Sequence, residues 1–477
     1  MLFIEAGWQV WEGRGLLLAA AHVAVSVAVT VHVLLTKRET VAATGWIGLA
    51  WLSPLVGGLL YWLLGINRVR RRAQRLGERG APPAPGDAPP PGAQPDGELV
   101  ALERGARQIT GRPALAGNGF ELLENGDAAY PRMLEALAGA ERSVALTSYI
   151  LRDDAVGHAF TAALIAARAR GAEVRVILDG IGAGYFRSPP WRELHRAGVP
   201  TVRFMHSPLP WRMPFLNLRT HEKLLVVDGR LAFTGGLNIG RENVLAKNPP
   251  APVRDTHFAV TGPVVAQLLE AFQQDWQFVT GEDLSGPAWD PATREEGGAV
   301  ARVVTSGPDQ NLEKIEFVVM QAIACARSSI RIVTPYFLPQ EKLMTSLSLA
   351  AMRGVEVELI IPERSDQHLM QWAMQADFGF LIETGCKLWL NPPPFDHSKL
   401  MVVDGTWSLI GSANFDTRSF RLNFELNVEV YDPGLAERIE AAMAPKRGRL
   451  VDAAELGRQS SLLRIRNAAA RLMLPYL

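Results

Sequence analysis

At 477 residues the chain is too long for one ordinary core, so two folded units with additional segments are expected. Lys+Arg and Asp+Glu balance at 49 each, which excludes a global basic field of the kind that marks a nucleic-acid partner and makes every charge argument local. Two cysteines, Cys325 and Cys386, exclude a disulfide scaffold and a C-x-x-C metal site, and fit buried thiols in a reducing compartment.

The first element in chain order is an apolar run, "LLLAAAHVAVSVAVTVHVLL" over residues 16–35, free of Asp, Glu, Lys and Arg. As a helix it is long enough to cross roughly 30 Å of hydrocarbon. Residues 41–66 form a second apolar run containing Pro54, which a membrane helix tolerates. Only "TKRET" joins the two, so a transmembrane hairpin is expected over 1–80. Glu5 and Glu12 outnumber Arg14 ahead of the first run, which argues against a cleaved signal peptide. Arg68, Arg70, Arg71, Arg72 and Arg75 follow the second span, against Lys37 and Arg38 in the loop, so the positive-inside bias places the downstream chain in the cytoplasm. His22 and His32 inside the first span are assigned no role.

Residues 81–97, "APPAPGDAPPPGAQPDG", lack apolar bulk and are read as an extended linker. Beyond it, helical segments such as "FTAALIAARARGA" alternate with β-rich runs such as "EVRVILD", the pattern of an α/β fold in which helices flank a mixed sheet. The pattern occurs twice. "ARARGAEVRVIL" aligns with "AAMRGVEVELII", and two H-x-K segments lie 176 residues apart (397 minus 221). This internal duplication predicts two pseudo-symmetric domains facing each other, 98–290 and 291–477, divided in the turn-rich stretch 281–300.

The repeated segments, "RTHEKLLVVDGRLAFTGGLN" and "FDHSKLMVVDGTWSLIGSAN", carry the chemistry. On an extended chain His221 and Lys223 point to one side, as do His397 and Lys399. Asp228-Gly229 and Asp404-Gly405 read as two-residue hairpin turns, and the aspartates are grouped with the catalytic residues as motif members in a supporting role. That register sets Gly236 opposite His221 and Ser412 opposite His397, where small residues leave room beside each imidazole, and brings the Asn238 and Asn414 amides close by, so all four are expected to bind the substrate phosphate. An imidazole can act as nucleophile or acid near neutral pH, and an adjacent ammonium stabilises phosphoryl oxygens. Asp255 and Glu425 follow their histidines by 34 and 28 residues and are expected to orient the rings. The pattern calls for no metal and no other cofactor.

The duplicated H-x-K-x4-D followed by small residues and Asn resembles the phospholipase D superfamily. Within it the chain is similar to the bacterial cardiolipin synthases, through the paired spans, "NGDAAYPRMLEAL", "RDTHFAVTGP", "VTPYFLP" and "GSANFDTRSFRLNFELN". The resemblance implies two phospholipase D-like domains, location in the bacterial inner membrane, and membrane phospholipids as partners. It further implies phosphatidyl transfer from one phosphatidylglycerol to another through a phosphohistidine, giving cardiolipin and glycerol, with His221 as nucleophile and His397 as acid and then base. Phosphatidylethanolamine as second donor, or hydrolysis of a phospholipase D or nuclease type, would use the same motifs, and a catalytically inactive lipid-binding scaffold is the alternative outside enzymes. The oligomeric state stays open between monomer and homodimer. Glu222 departs from the family pattern but points away from the pocket by alternation. The tail "SLLRIRNAAARLMLPYL" is read either as a membrane-surface helix or as a helix packed on the domain.

Overall fold

The computed structural model describes residues 2–37, 40–65, 97–206, 218–307 and 313–472. It falls into two compact units, Met1–Arg72 and Ala73–Leu477. Arg38, the five arginines between 68 and 75, and all but the last residue of the 81–97 segment lie outside the described residues.

In the first unit a helix runs from Leu2 to Thr36, and its stretch Ala19–Thr36 is long and apolar enough to cross a membrane. The second apolar segment, expected as one span, is divided into helices Thr40–Leu52 and Pro54–Leu60 and a π-turn Tyr61–Gly65. Pro54 accounts for the break, because it donates no N–H and its ring crowds the preceding turn, so it stands at the first position of a new helix. A Cβ on Gly57 would come within 2.5 Å of the Leu49 carbonyl oxygen, so only glycine allows the closeness at this break. Polar groups are satisfied between the segments: Ser26 Oγ donates to the Ala50 carbonyl at 2.8 Å, and His32 Nδ1 meets the Tyr61 hydroxyl at 2.6 Å. His22 Nε2 lies 3.2 Å from the Trp51 carbonyl, so both histidines have structural partners.

In the second unit the duplication appears as one continuous sheet. The first half contributes β1 (Leu115–Glu124), β2 (Ser143–Ser148), β3 (Glu173–Asp179), β4 (Thr201–Phe204), β5 (Leu224–Val227), β6 (Leu231–Gly235) and β7 (Thr256–Thr261). The second contributes β8 (Ala299–Ser306), β9 (Ser329–Val333), β10 (Glu356–Pro362), β11 (Lys387–Asn391), β12 (Leu400–Val403), β13 (Trp407–Gly411), β14 (Glu425–Tyr431) and β15 (Arg449–Leu450). Their order is β15-β11-β10-β9-β12-β13-β14-β8-β1-β7-β6-β5-β2-β3-β4, so seven strands of each half mirror the other's about the antiparallel β8–β1 pair, and β15 extends the second half's edge without a counterpart. The α/β fold with a mixed, helix-flanked sheet is as expected, but the halves join edge to edge through this pair and do not stack as separate bodies.

Alternation assigns the layers. Leu224, Val226, Leu400 and Val402 face one core shared by both halves, covered by helices Val264–Thr280 and Pro433–Met443. Leu225 and Val227 face a core of the first half, and Met401 and Val403 one of the second.

The hairpins differ from expectation by one residue. Asp228 and Gly229 have φ of 53° and 65°, and Asp404 and Gly405 of 52° and 61°, so both pairs turn the chain as their sequence demands. Arg230 N–H and Thr406 N–H close the turns on Val227 and Val403 at 3.1 Å each, but the ladders begin one residue later, at Val227↔Leu231 and Val403↔Trp407. The connection thus holds three residues, and the register expected for Gly236 and Ser412 shifts by one.

Candidate active site

Two short cross-connections between the halves build the site. Val253–Arg254 pairs in parallel with Phe395–Asp396, and His397 N–H donates to the Arg254 carbonyl at 2.8 Å. Thr220 bridges to Phe424, and His221 N–H donates to the Phe424 carbonyl at 2.9 Å. Each histidine therefore lies beside the residue that opens the carboxylate strand of the other half. His221 Nδ1 sits 3.1 Å from both carboxylate oxygens of Glu425, and His397 Nδ1 sits 2.9 Å from Asp255 Oδ2. Asp255 and Glu425 do contact imidazoles, but crosswise: neither meets the histidine it follows in its own half.

The two rings stand 6.1 Å apart, centroid to centroid, at 86°. With both Nδ1 atoms engaged by carboxylates, Nε2 is the ring nitrogen left for other chemistry on each side. Lys223 Nζ donates to the His221 carbonyl at 2.5 Å, and Lys399 Nζ makes the same bond to His397. All four side chains are buried or nearly so.

Burial in a shared cationic space shifts every one of these groups. Desolvation, then the charges of Lys223 and Lys399, hold His221 well below the usual imidazole range, so it is neutral near pH 7. His397 is lowered by desolvation and Lys399, with Asp255 pulling the other way. Desolvation lowers Lys223 to about 7 and Lys399 to about 8, and for Lys223 the charge of Lys399 adds to it. The carboxylates diverge: burial raises Glu425 to about 7, whereas for Asp255 the hydrogen bond and charge of His397 outweigh burial and hold it low. Asp255 is thus the firmer anion, and His397 the ring better supported as imidazolium.

Gly236 and Ser412, expected beside a phosphate, instead serve the carboxylates. A Cβ at Gly236 would lie 2.1 Å from Asp255 Oδ1, so the bare glycine makes room for that side chain. At the equivalent place Ser412 Oγ donates to Glu425 Oε2 at 2.5 Å. Asn238 and Asn414 follow their strands in both halves, and their carboxamide oxygens are buried without a hydrogen-bond partner among the described residues. Asp228 and Asp404 lie away from the rings: Asp228 accepts from the backbone N–H groups of Glu141, Arg142 and Ser143, and Asp404 from those of Arg327, Ser328 and Ser329. Grouping them with catalytic residues is therefore corrected to a structural role, since their carboxylates are spent on the turns that lead into β2 and β9. Among the described residues no group of three or more His, Cys, Asp or Glu is arranged to hold a metal ion.

Sequence reasoning missed Tyr149. Its ring lies edge-on to His221 at 5.1 Å and under Lys223 Nζ at 5.4 Å, so it packs both members of the first pair. A signal existed: "SYIL" and "TPYFL" occupy matching places after β2 and β9, where Ser148 Oγ and Thr334 Oγ1 each bond the carbonyl two residues on. Asp179 was also missed; Oδ2 accepts from Thr220 N–H at 3.2 Å and Oδ1 from Ile181 and Gly182 N–H, fixing the approach to His221. Glu222 faces the shared core as expected, where burial and its hydrogen bond to Asp275 keep its carboxyl protonated well above the usual range.

A model of the family described as "Cardiolipin synthase, PLD-like domain" matches residues 133–276 and 319–445, covering both H-x-K segments. The chain belongs to this family. It is 32% identical to the cardiolipin synthase of Geobacillus kaustophilus (strain HTA426) over 98% of this chain and 95% of that protein. It is 34% identical to cardiolipin synthase A of Pseudomonas aeruginosa (strain LESB58) over 90% and 89%. The crystal structure of phosphatidylserine synthase from Haemophilus influenzae Rd KW20 shares the fold, with a TM-score of 0.58 at 15% identity, covering 79% of this chain and 100% of that one. As a member of this family the chain is an enzyme of the phosphatidyltransferase type, associated with the membrane.

Proposed function

We propose that the protein is a cardiolipin synthase that moves a phosphatidyl group from one phosphatidylglycerol to another through a phosphohistidine. The observation that carries this reading is the pair of imidazoles 6.1 Å apart, each held at Nδ1 by a carboxylate. Their inequality supports His221 as nucleophile, because it is the ring held most firmly neutral, and His397 as acid, because it sits on the ionised carboxylate.

In the first step His221 Nε2 attacks phosphorus, the P–O bond to the headgroup glycerol breaks, and His397 gives its Nε2 proton to the departing oxygen. In the second, His397 takes the proton from a hydroxyl of another phosphatidylglycerol as that oxygen bonds to phosphorus. The P–N bond to His221 breaks, and cardiolipin leaves. Lys223 and Lys399 neutralise the nonbridging oxygens throughout, and the Asn238 and Asn414 amides complete the cradle. The halves 98–290 and 291–477 act as one catalytic body, each lending its carboxylate to the other's ring.

The apolar segments 16–35 and 41–66 both enter the inner membrane, with the catalytic unit on the cytoplasmic side. The basic cluster after the second segment supports that orientation, and the interhelical bonds of Ser26 and His32 support the hairpin. Mass spectrometry of products made by the purified full-length protein from phosphatidylglycerol tests the assignment. Cardiolipin and glycerol in equal amounts are expected; phosphatidic acid without cardiolipin would overturn it. Isotope-labelled phosphatidylethanolamine added to the mixture is expected to leave cardiolipin unlabelled.

A further inference from the structure

We propose that the C-terminal helix Ser461–Arg471 docks flat on the surface of a bilayer containing anionic phospholipid. The helix is amphipathic the wrong way round for simple packing. Its buried positions are Asn467 and Ala470, 2% and 4% exposed; Ala470 joins the core that holds Met370, Ala373 and Met374 of helix His368–Gln375, and polar groups make the other contacts to that helix and to Asp377 just after it. Asn467 Nδ2 donates to Gln375 Oε1 at 3.3 Å, Arg466 lies over the Trp372 ring at 4.6 Å, and Arg471 pairs with Asp377 at 2.6 Å. Leu462, Ile465 and Leu472 point outward instead, 79%, 66% and 77% exposed. With exposed Ala469 they fall within an arc of about 80° on a helix of 3.6 residues per turn, so they form one stripe.

An apolar stripe of this kind in water is unfavourable and marks an interaction surface. Charge identifies the occupant. From Leu456 to Leu477 the chain carries Arg458, Arg464, Arg466 and Arg471 and no Asp or Glu. On the same wheel Arg466, packed over Trp372, stands about 40° beyond Leu462, and exposed Arg464 and Arg471 stand about 80° and 100° beyond Leu472, the last neutralised in part by Asp377. Apolar side chains edged by arginines match an interface in which acyl chains lie beneath anionic headgroups, with the helix about 5–10 Å below the phosphate level. The choice of phosphatidylglycerol as the anionic lipid rests on the proposed substrate; the docking itself does not.

The test uses the full chain with Cys325→Ala and Cys386→Ala, a bimane label on Ile465→Cys or, separately, Leu472→Cys, and reconstitution into phosphatidylcholine vesicles with or without phosphatidylglycerol. Acyl chains brominated near the glycerol end are expected to quench both labels in the anionic vesicles. Arg464→Glu is expected to weaken quenching roughly fivefold. Absence of quenching at both positions in anionic vesicles would overturn the proposal. So would labels that sit in an apolar environment in dilute detergent and ignore lipid, because another part of the chain or a second copy then covers the stripe. Equal quenching in pure phosphatidylcholine would overturn the requirement for anionic lipid. Because the readout is position and not turnover, these outcomes are separate from those that decide the catalytic reading.

Discussion

Glu425 stands 204 positions after His221, yet both of its carboxylate oxygens lie 3.1 Å from Nδ1 of that ring. Asp255 and His397, 142 apart, make the reciprocal contact. The two halves therefore exchange their carboxylates, and neither half contains a complete histidine–carboxylate pair. Glu425→Gln is expected to lower kcat roughly 10²-fold with little change in KM, since it misdirects the ring without removing a substrate contact. Asp255→Asn should act on the other ring and shift the pH dependence of its proton transfer downward, because His397 loses its ionised partner. Steady-state kinetics across pH check both; a shift of that limb by Glu425→Gln alone would contradict the crosswise assignment.

The carboxylates are themselves held by the residues at 236 and 412. In Gly236→Ala the new Cβ would meet Asp255 Oδ1 at 2.1 Å, so the carboxylate must leave His397. A displacement of about 1 Å at a catalytic group costs roughly 10²-fold in rate. Ser412→Ala removes the donor to Glu425 and should cost less, about 10-fold, by loss of one charge-assisted bond. Comparing kcat for the two variants, with circular dichroism to confirm folding, decides whether these positions serve the carboxylates or bind phosphate directly; a rise in KM at constant kcat would indicate the latter.

Lys223 and Lys399, lowered to about 7 and about 8, make activity sensitive to mild alkali. Below those values both ammonium groups are charged and attract phosphate; above them the charge is lost. Because His397 is also lowered, its acid form declines in the same direction. The ratio kcat/KM, which reports the free enzyme, is therefore expected to fall as pH rises through 7 to 8. In Lys399→Met the upper of these steps should vanish along with most of the activity. An activity that keeps rising to pH values above about 9 would show that the lysines retain ordinary basicity.

Asp228 and Asp404 are expected to matter for stability and not for turnover. Asp228→Ala leaves the N–H groups of Glu141, Arg142 and Ser143 without their acceptor and removes a residue suited to a φ of 53°. A loss of about 1–3 kcal/mol follows from the unpaired groups alone. Asp404 is opposed by burial, but bonds from the backbone of Ser329, Ser328 and Arg327 bring it below the ordinary carboxylate value. Its contribution to stability is therefore full above the unfolded value and disappears as pH falls through the folded one. Thermal melts of Asp404→Asn against pH check this: the variant should melt lower than the parent at neutral pH, and the gap should close in acid, with kcat at low temperature nearly unchanged in both variants.

Much of this protein follows from local rules that act within a few residues. Strand alternation put His221 with Lys223 and His397 with Lys399, Asp-Gly demanded a positive-φ turn, and the charge-free apolar run 16–35 called for a helix long enough to span a membrane, which the stretch Ala19–Thr36 is. The repeat itself made a two-fold α/β arrangement legible. What needed the tertiary structure were choices among partners distant in the chain: that Phe424 lies against His221 and Arg254 against His397, and that the sheet runs on through β8 and β1. Nothing periodic near Asp255 or Glu425 distinguishes one histidine from the other, because the pairing is set by which strand edges meet. The same holds for the C-terminal helix, whose sequence is amphipathic either way. Only the packing of Asn467 and Ala470 inward, through polar contacts with Gln375, decided that Leu462, Ile465 and Leu472 face out.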